Sequence, residues 1–164
     1  MSLTSLMRVS IVLPLLVASA CGSPPASVKQ SEPSEAEVVS TVEATLDKAV
    51  AASLTGDAEG VLGAAPRDDT FTFVTADRML VGYDQALAAF RQTYAMLQGQ
   101  TNQVIQKRTR VVSPDVVLVT LVSEGTYTDK AGYTSDPVGL GLTAVFVRQA
   151  GEWRVVHVHQ SVAE

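Results

Sequence analysis

From Ser34 onward the apolar positions follow two different periods, and the change between them divides the chain. Val38, Val42, Leu46, Ala49 or Val50, and Leu54 recur every three or four residues, which predicts a helix of about twenty residues with a single apolar stripe. Ser34-Glu35-Ala36-Glu37 has the serine-to-glutamate spacing of a capping box at its start, and Thr55-Gly56 supplies a left-handed stop. Asp57 is placed to cap a second, shorter helix ending near Ala64. After Pro66 the period becomes two: Phe71 and Phe73 share one face, and Thr70, Thr72 and Val74 the other. Thr75 to Val81 reads as a turn and a short extended return that ends at Gly82. A third helix follows from Asp84 to Gln98, with Leu87, Phe90, Tyr94 and Leu97 on one side and Gly99 as its stop. From Gln103 the chain reads almost entirely as strand: 103–112, 116–128, 138–148 and 153–162, with turns at Ser113-Pro114-Asp115 and Gln149-Ala150-Gly151-Glu152. Strands joined by such short turns pair antiparallel, because a parallel return needs a crossover of roughly a dozen residues. Helices come first and sheet second, so the expected class is α+β.

The segment before Ser34 follows neither period. Met1 to Arg8 carries one positive side chain, and Val9 to Val17 is an apolar run interrupted by Pro14. A run of this length is far below the roughly 20 residues that span a bilayer, so residues 1–20 read as an export signal that is removed. Val17-Ala18-Ser19-Ala20-Cys21-Gly22 then leads small residues into the sole cysteine. This run resembles the lipobox of bacterial lipoproteins, which implies a diacylglyceryl group on the Cys21 thiol and Cys21 as the mature amino terminus. Ala18 stands where that pattern usually has leucine, and Ala18-Ser19-Ala20 also meets the small-x-small rule of a soluble export signal. Residues 21–33, rich in Pro, Ser and Gly, read as a flexible tether reaching at most about 35–40 Å. The folded domain is expected over 34–164. Gly22, in place of an aspartate, makes the outer membrane the expected destination in a two-membrane cell. The expected location is thus the cell envelope, with the membrane as a partner through Cys21.

Composition narrows the functional classes. With 164 residues, 46% of them hydrophobic, the chain has material for one core, and its single cysteine excludes an intrachain disulfide framework. The net charge of −5, which becomes −6 when Arg8 leaves with the signal, lacks the basic footprint of a nucleic-acid binder.

Several phrases carry a more specific likeness. Leu54-Thr55-Gly56-Asp57, Asp68-Asp69-Thr70-Phe71, Gly82 before a helix, and the closing Gly151-Glu152-Trp153-Arg154-Val155-Val156-His157-Val158-His159-Gln160-Ser161 together resemble the SnoaL-like branch of the nuclear transport factor 2-like (NTF2-like) superfamily. The likeness covers residues 35–164. It implies a cone in which N-terminal helices pack on a curved antiparallel sheet around an internal pocket, with homodimer pairing through the sheet's outer face.

On the last strand, strict alternation puts Trp153, Val155, His157, His159 and Ser161 on one side. If that side faces the implied pocket, His157 and His159 can hydrogen-bond a ligand or act as general acid or base near neutral pH. The alternative is that they are half-buried sheet residues satisfied by their neighbours. Tyr127 ends a strand beside a polar loop and is a candidate rim donor and catalytic partner. Phe71, Phe90 and Tyr94 are the further aromatic candidates to line a pocket, although Phe90 and Tyr94 at helical spacing also suit plain core. Asp68 and Asp69 could supply a base, but adjacent aspartates in a turn are ordinarily solvated. Two histidines at i and i+2 could share a metal, yet Asp69, Asp77 and Glu124 have no diagnostic spacing as further ligands, so no metal and no cofactor is expected. Phosphate-binding glycine loops, G-x-S-x-G, H-E-x-x-H and C-x-x-C motifs are all missing from the sequence. Two readings result. The first is a membrane-tethered, non-catalytic domain that binds a small apolar or amphipathic molecule or a partner protein. The second is a SnoaL-like lyase, isomerase or hydrolase using His157 or His159 for proton transfer and Tyr127 or Tyr94 as donor.

Overall fold

The computed structural model describes residues 32–76 and 78–163. The segment read as an export signal, Cys21 and the part of the expected tether up to Ser31 lie outside the described residues, as do Asp77 and Glu164. Helix α1 (Glu35–Leu54) begins with the expected capping box: the Ser34 hydroxyl accepts from the Glu37 amide at 3.3 Å, and the Ser34 amide donates to the Glu37 carboxylate at 2.8 Å. Caps of this kind contribute about 1 kcal/mol. Gly56, at φ 73°, provides the left-handed stop, and α2 (Ala58–Val61) starts from an Asp57 cap. Strands β1 (Thr72–Thr75) and β2 (Arg78–Val81) form a hairpin, and α3 (Tyr83–Met96) follows.

The chain then departs from the period-based expectation. Leu97–Gln100, anticipated as the last turn of α3 and its glycine stop, is strand β3. It pairs with β6 (Tyr127–Asp129), a partner about thirty residues away that no local pattern reveals. The long strand expected over 116–128 is correspondingly divided into β5 (Val116–Gly125) and β6. The division has a steric cause, since a Cβ at Gly125 would lie 2.1 Å from the Thr101 carbonyl oxygen. Only glycine admits the 101–102 segment at that point.

Strands β4 (Gln103–Ser113), β7 (Val138–Gln149) and β8 (Glu152–Val162) complete a six-stranded sheet in the order β2-β1-β8-β7-β5-β4. Consecutive strands pair antiparallel, as the short turns require. The pairing of β1 with β8 is parallel, so the sheet is mixed rather than wholly antiparallel. The short-turn rule does not reach this pair, because its two strands are separated by most of the domain. The architecture is the α+β arrangement of N-terminal helices on one sheet. Val38, Val42 and Leu46 of α1 join Val117, Val119, Ala144, Phe146 and Val155 of the sheet in one buried cluster. An ionic strap fixes α1 to β4: Glu43 accepts from the Thr109 hydroxyl at 2.5 Å and pairs with Lys107 at 3.1 Å. The Thr109 hydroxyl, more than Lys107, holds the Glu43 carboxyl below the usual glutamate range despite partial burial.

Candidate functional site

Between α1, α3 and the inner face of the sheet lies a cavity of about 370 Å³. This is within the size range of small-molecule sites, at its lower end. The deep wall is apolar: Leu62 follows α2, Phe71 precedes β1, and Phe146 and Val155 face each other from β7 and β8. Phe90 of α3 meets Phe73 edge to face at 5.1 Å between ring centroids and lies 5.9 Å from the Tyr94 ring. Three of the aromatic residues singled out from the sequence, Phe71, Phe90 and Tyr94, thus line one cavity.

The Tyr94 hydroxyl is pushed up to about 12 by burial, with the Gln100 side chain acting in the opposite direction and the Asp57 charge adding to the rise. Tyr94 is therefore a phenol, and a hydrogen-bond donor, at every physiological pH. Gln100 in turn donates to the Ser53 carbonyl at the end of α1. Asn102, another lining residue, keeps its side-chain oxygen buried with no donor among the described residues. Arg78, Thr75 and Gln160 also belong to the polar part of the wall, with Thr45, Ser53, Thr93 and Thr101.

The two histidines are elsewhere, and a single extra residue explains why. In the pairing of β7 with β8, Val145 faces His157 while the next residue, Phe146, faces Val155. Val156 is left over as a β-bulge, which inverts the alternation beyond it. Trp153 and Val155 face the core as strict alternation requires, but after the bulge Val158 and Gln160 take the inner positions. His157 and His159 do share one face, and it is the outer one, opposite the cavity. The expected inward placement of this pair is thereby corrected. The parallel neighbour agrees: His157 lies beside Thr72 and His159 beside Val74, while Phe73 between them points inward. His157 is half-buried, and its Nδ1 is 2.7 Å from the Thr72 hydroxyl.

The remaining candidates are also outside the cavity. Tyr127 is 42% exposed and accepts no lining role, although Gln100, its partner across β3 and β6, does line the cavity. Asp68 is exposed and accepts from the amide and hydroxyl of Thr70, which lower its carboxyl in that order of hydroxyl, then amide. It is a turn-forming aspartate. Asp69 and Glu124 are exposed as well. Among the described residues no three of His, Cys, Asp and Glu come together as a metal-holding group, and no helix is long and apolar enough to cross a membrane. The residues sequence reading missed are Arg78, Gln100, Asn102 and Gln160. Of these only Gln160 had a usable signal, its place on the last strand, and the bulge reversed its meaning.

A second cavity, of about 350 Å³, lies where the ends of α1 and α3 meet β3. It shares Ser53, Tyr94 and Gln100 with the first and is flanked by the exposed Arg91–Glu59 ion pair. Its polar, open lining suits it less to an apolar guest than the inner cavity.

This architecture is that of the NTF2-like proteins. A Salmonella enterica NTF2-like superfamily protein superimposes with a TM-score of 0.72 at 15% identity, covering 80% of this chain and 94% of its own. A ketosteroid isomerase-like protein from Erwinia carotovora atroseptica gives 0.67 at 20% identity, with 78% and 98% covered. An NTF2-like protein of unknown function from Pseudomonas putida gives 0.65 at 17%, with 76% and 85% covered. At these identities the likeness establishes the fold. No curated protein is similar enough to count as a match. Residues 42–164 match the SnoaL-like domain, and the chain belongs to that family.

Proposed function

We propose that this SnoaL-like domain is a non-catalytic binding module whose inner cavity takes a small apolar or amphipathic molecule. One observation carries the reading: the described lining residues combine an aromatic and aliphatic floor with amide, hydroxyl and guanidinium groups, and they include no carboxylate and no imidazole. Such a set can hold and orient a guest, whereas proton abstraction from it would need a base within hydrogen-bond reach. The buried Asn102 oxygen supports the same reading, since a donor on the guest would relieve an unpaired acceptor.

Native mass spectrometry of gently purified protein tests it. A small molecule is expected to co-purify with the parent chain and to be lost from Ala144→Trp, which fills the cavity from the sheet side. Equal retention by that variant would refute the proposed location.

The catalytic alternative draws support from the fold shared with a protein described as ketosteroid isomerase-like. With His157 and His159 on the outer face, the proton-moving group on that reading would be Tyr94, and turnover would have to collapse in Tyr94→Phe.

We further propose export and attachment to the cell envelope through Cys21, for which the lipobox-like run 17–22 is the support. A diacylglyceryl adduct in the membrane fraction that disappears in Cys21→Ser is the expected result. Homodimerisation through the outer sheet face is proposed on the exposure of Met79, Val81 and Val122 there.

A further inference from the structure

The inner cavity has two chemically different ends, and strand register orders them. At one end Phe146 faces Val155. One rung along, Val158 sits between Phe73 and Ala144, and the next inward rung places Gln160 between Thr75 and Leu142. Thr75 is also the register partner of Arg78. All of these residues line the cavity, so its wall passes from aromatic floor to a rung of hydroxyl, amide and guanidinium. Arg78 is the only charged side chain among the described lining residues, and it is exposed at that end.

We propose that the ligand is an amphipathic monocarboxylate, inserted with its apolar body on Phe71, Phe146 and Val155 and its carboxylate at Arg78. This inference rests on the ligand-binding reading above and adds the sign of the head group and the direction of entry. A planar guanidinium offers two parallel hydrogen bonds to a carboxylate, and the Thr75 hydroxyl and Gln160 amide stand on the same rung as further donors. One guanidinium balances one negative charge, whereas a phosphate monoester carries about −1.5 to −2 at neutral pH and would remain partly uncompensated. A cationic head would meet like charge. Entry in the reverse direction would bury an ionised group among phenylalanines, at a cost of several kcal/mol.

Titration calorimetry of the full chain with octanoate, 1-octanol and octyltrimethylammonium separates the possibilities, with Arg78→Gln and Ala144→Trp as variants. Octanoate is expected to bind about tenfold more tightly than octanol, the equivalent of one charge-assisted hydrogen bond. That preference should shrink with added salt and vanish in Arg78→Gln, where octanoate loses far more affinity than octanol, and Ala144→Trp should bind neither. Equal affinities for octanoate and octanol, or a preference that survives Arg78→Gln, would overturn the carboxylate assignment and leave cavity binding standing. Tightest binding of octyltrimethylammonium would overturn it by reversing the sign. Failure of all three to bind would overturn both the assignment and the ligand-binding reading.

Discussion

The two faces of the six-stranded sheet are built from the same strands but carry different chemistry. The inner face presents Val117, Val119, Ala144 and Phe146, all buried, and Ala144 and Phe146 form part of the cavity wall. The outer face presents Thr120, Thr143, Val145, His157 and His159, which are partly or fully exposed. Both imidazoles, the side chains with the most versatile chemistry at neutral pH, lie on the face opposite the inner cavity. Residue type alone therefore does not say which face of a strand is the functional one. A single unpaired residue, Val156, assigns the faces in the second half of β8.

The sharpest way to break this comparison is to remove the bulge. Inserting one residue into β7 between Val145 and Phe146 would give Val156 a partner, restore strict alternation and exchange the faces beyond it, driving both histidines toward the core and Val158 and Gln160 outward. Burial of unpaired imidazoles together with loss of inner packing is expected to cost about 4 kcal/mol or more. Thermal unfolding followed by circular dichroism would register this as loss of the cooperative transition, and a variant with parent-like stability would mean that β8 tolerates either register.

A smaller loss is expected from Phe146→Ala, which truncates a side chain that is 2% exposed on the inner face. Destabilisation by about 3–5 kcal/mol should appear in urea titration, together with weakened ligand binding because the cavity floor is lost. If stability falls while binding is retained, the guest does not reach the Phe146 end.

The smallest effect sharpens the contrast from the other side. Thr72→Val removes the hydroxyl partner of His157 on the outer face and should cost about 0.5–1.5 kcal/mol. Ligand affinity measured by calorimetry should not change. A binding defect in this variant would show that the outer face communicates with the cavity.

Much of the helical part was legible along the chain, because its signals are local. The apolar stripe Val38-Val42-Leu46, the Ser34–Glu37 box and the Gly56 stop each act within a turn or two, and each is realised. The same holds for the hairpin that joins β7 to β8, where Ala150 and Gly151 take positive φ. Strand β3 was not legible. Leu97 continues the helical period of Leu87, Phe90 and Tyr94, and only pairing with β6 converts it to strand. In the candidate site, Phe71, Phe90 and Tyr94 could be singled out by residue type. Arg78 and Asn102 could not, since an arginine in a hairpin and an asparagine between strands are ordinary surface choices until the chain folds around them.

The order of residues by itself determined that two helices and a short extended pair lead through a third helix into a run of strands, where the long helix starts and stops, and which strands follow one another through tight turns, because caps, periods and turns depend on neighbours within a few residues. The tertiary structure alone decided that β1 lies parallel to β8, that Gly125 yields to a crossing segment, and that the last strand turns its histidines away from the cavity. These depend on which distant backbone supplies each hydrogen-bond partner, and a one-residue offset in that pairing sends every later side chain to the other face.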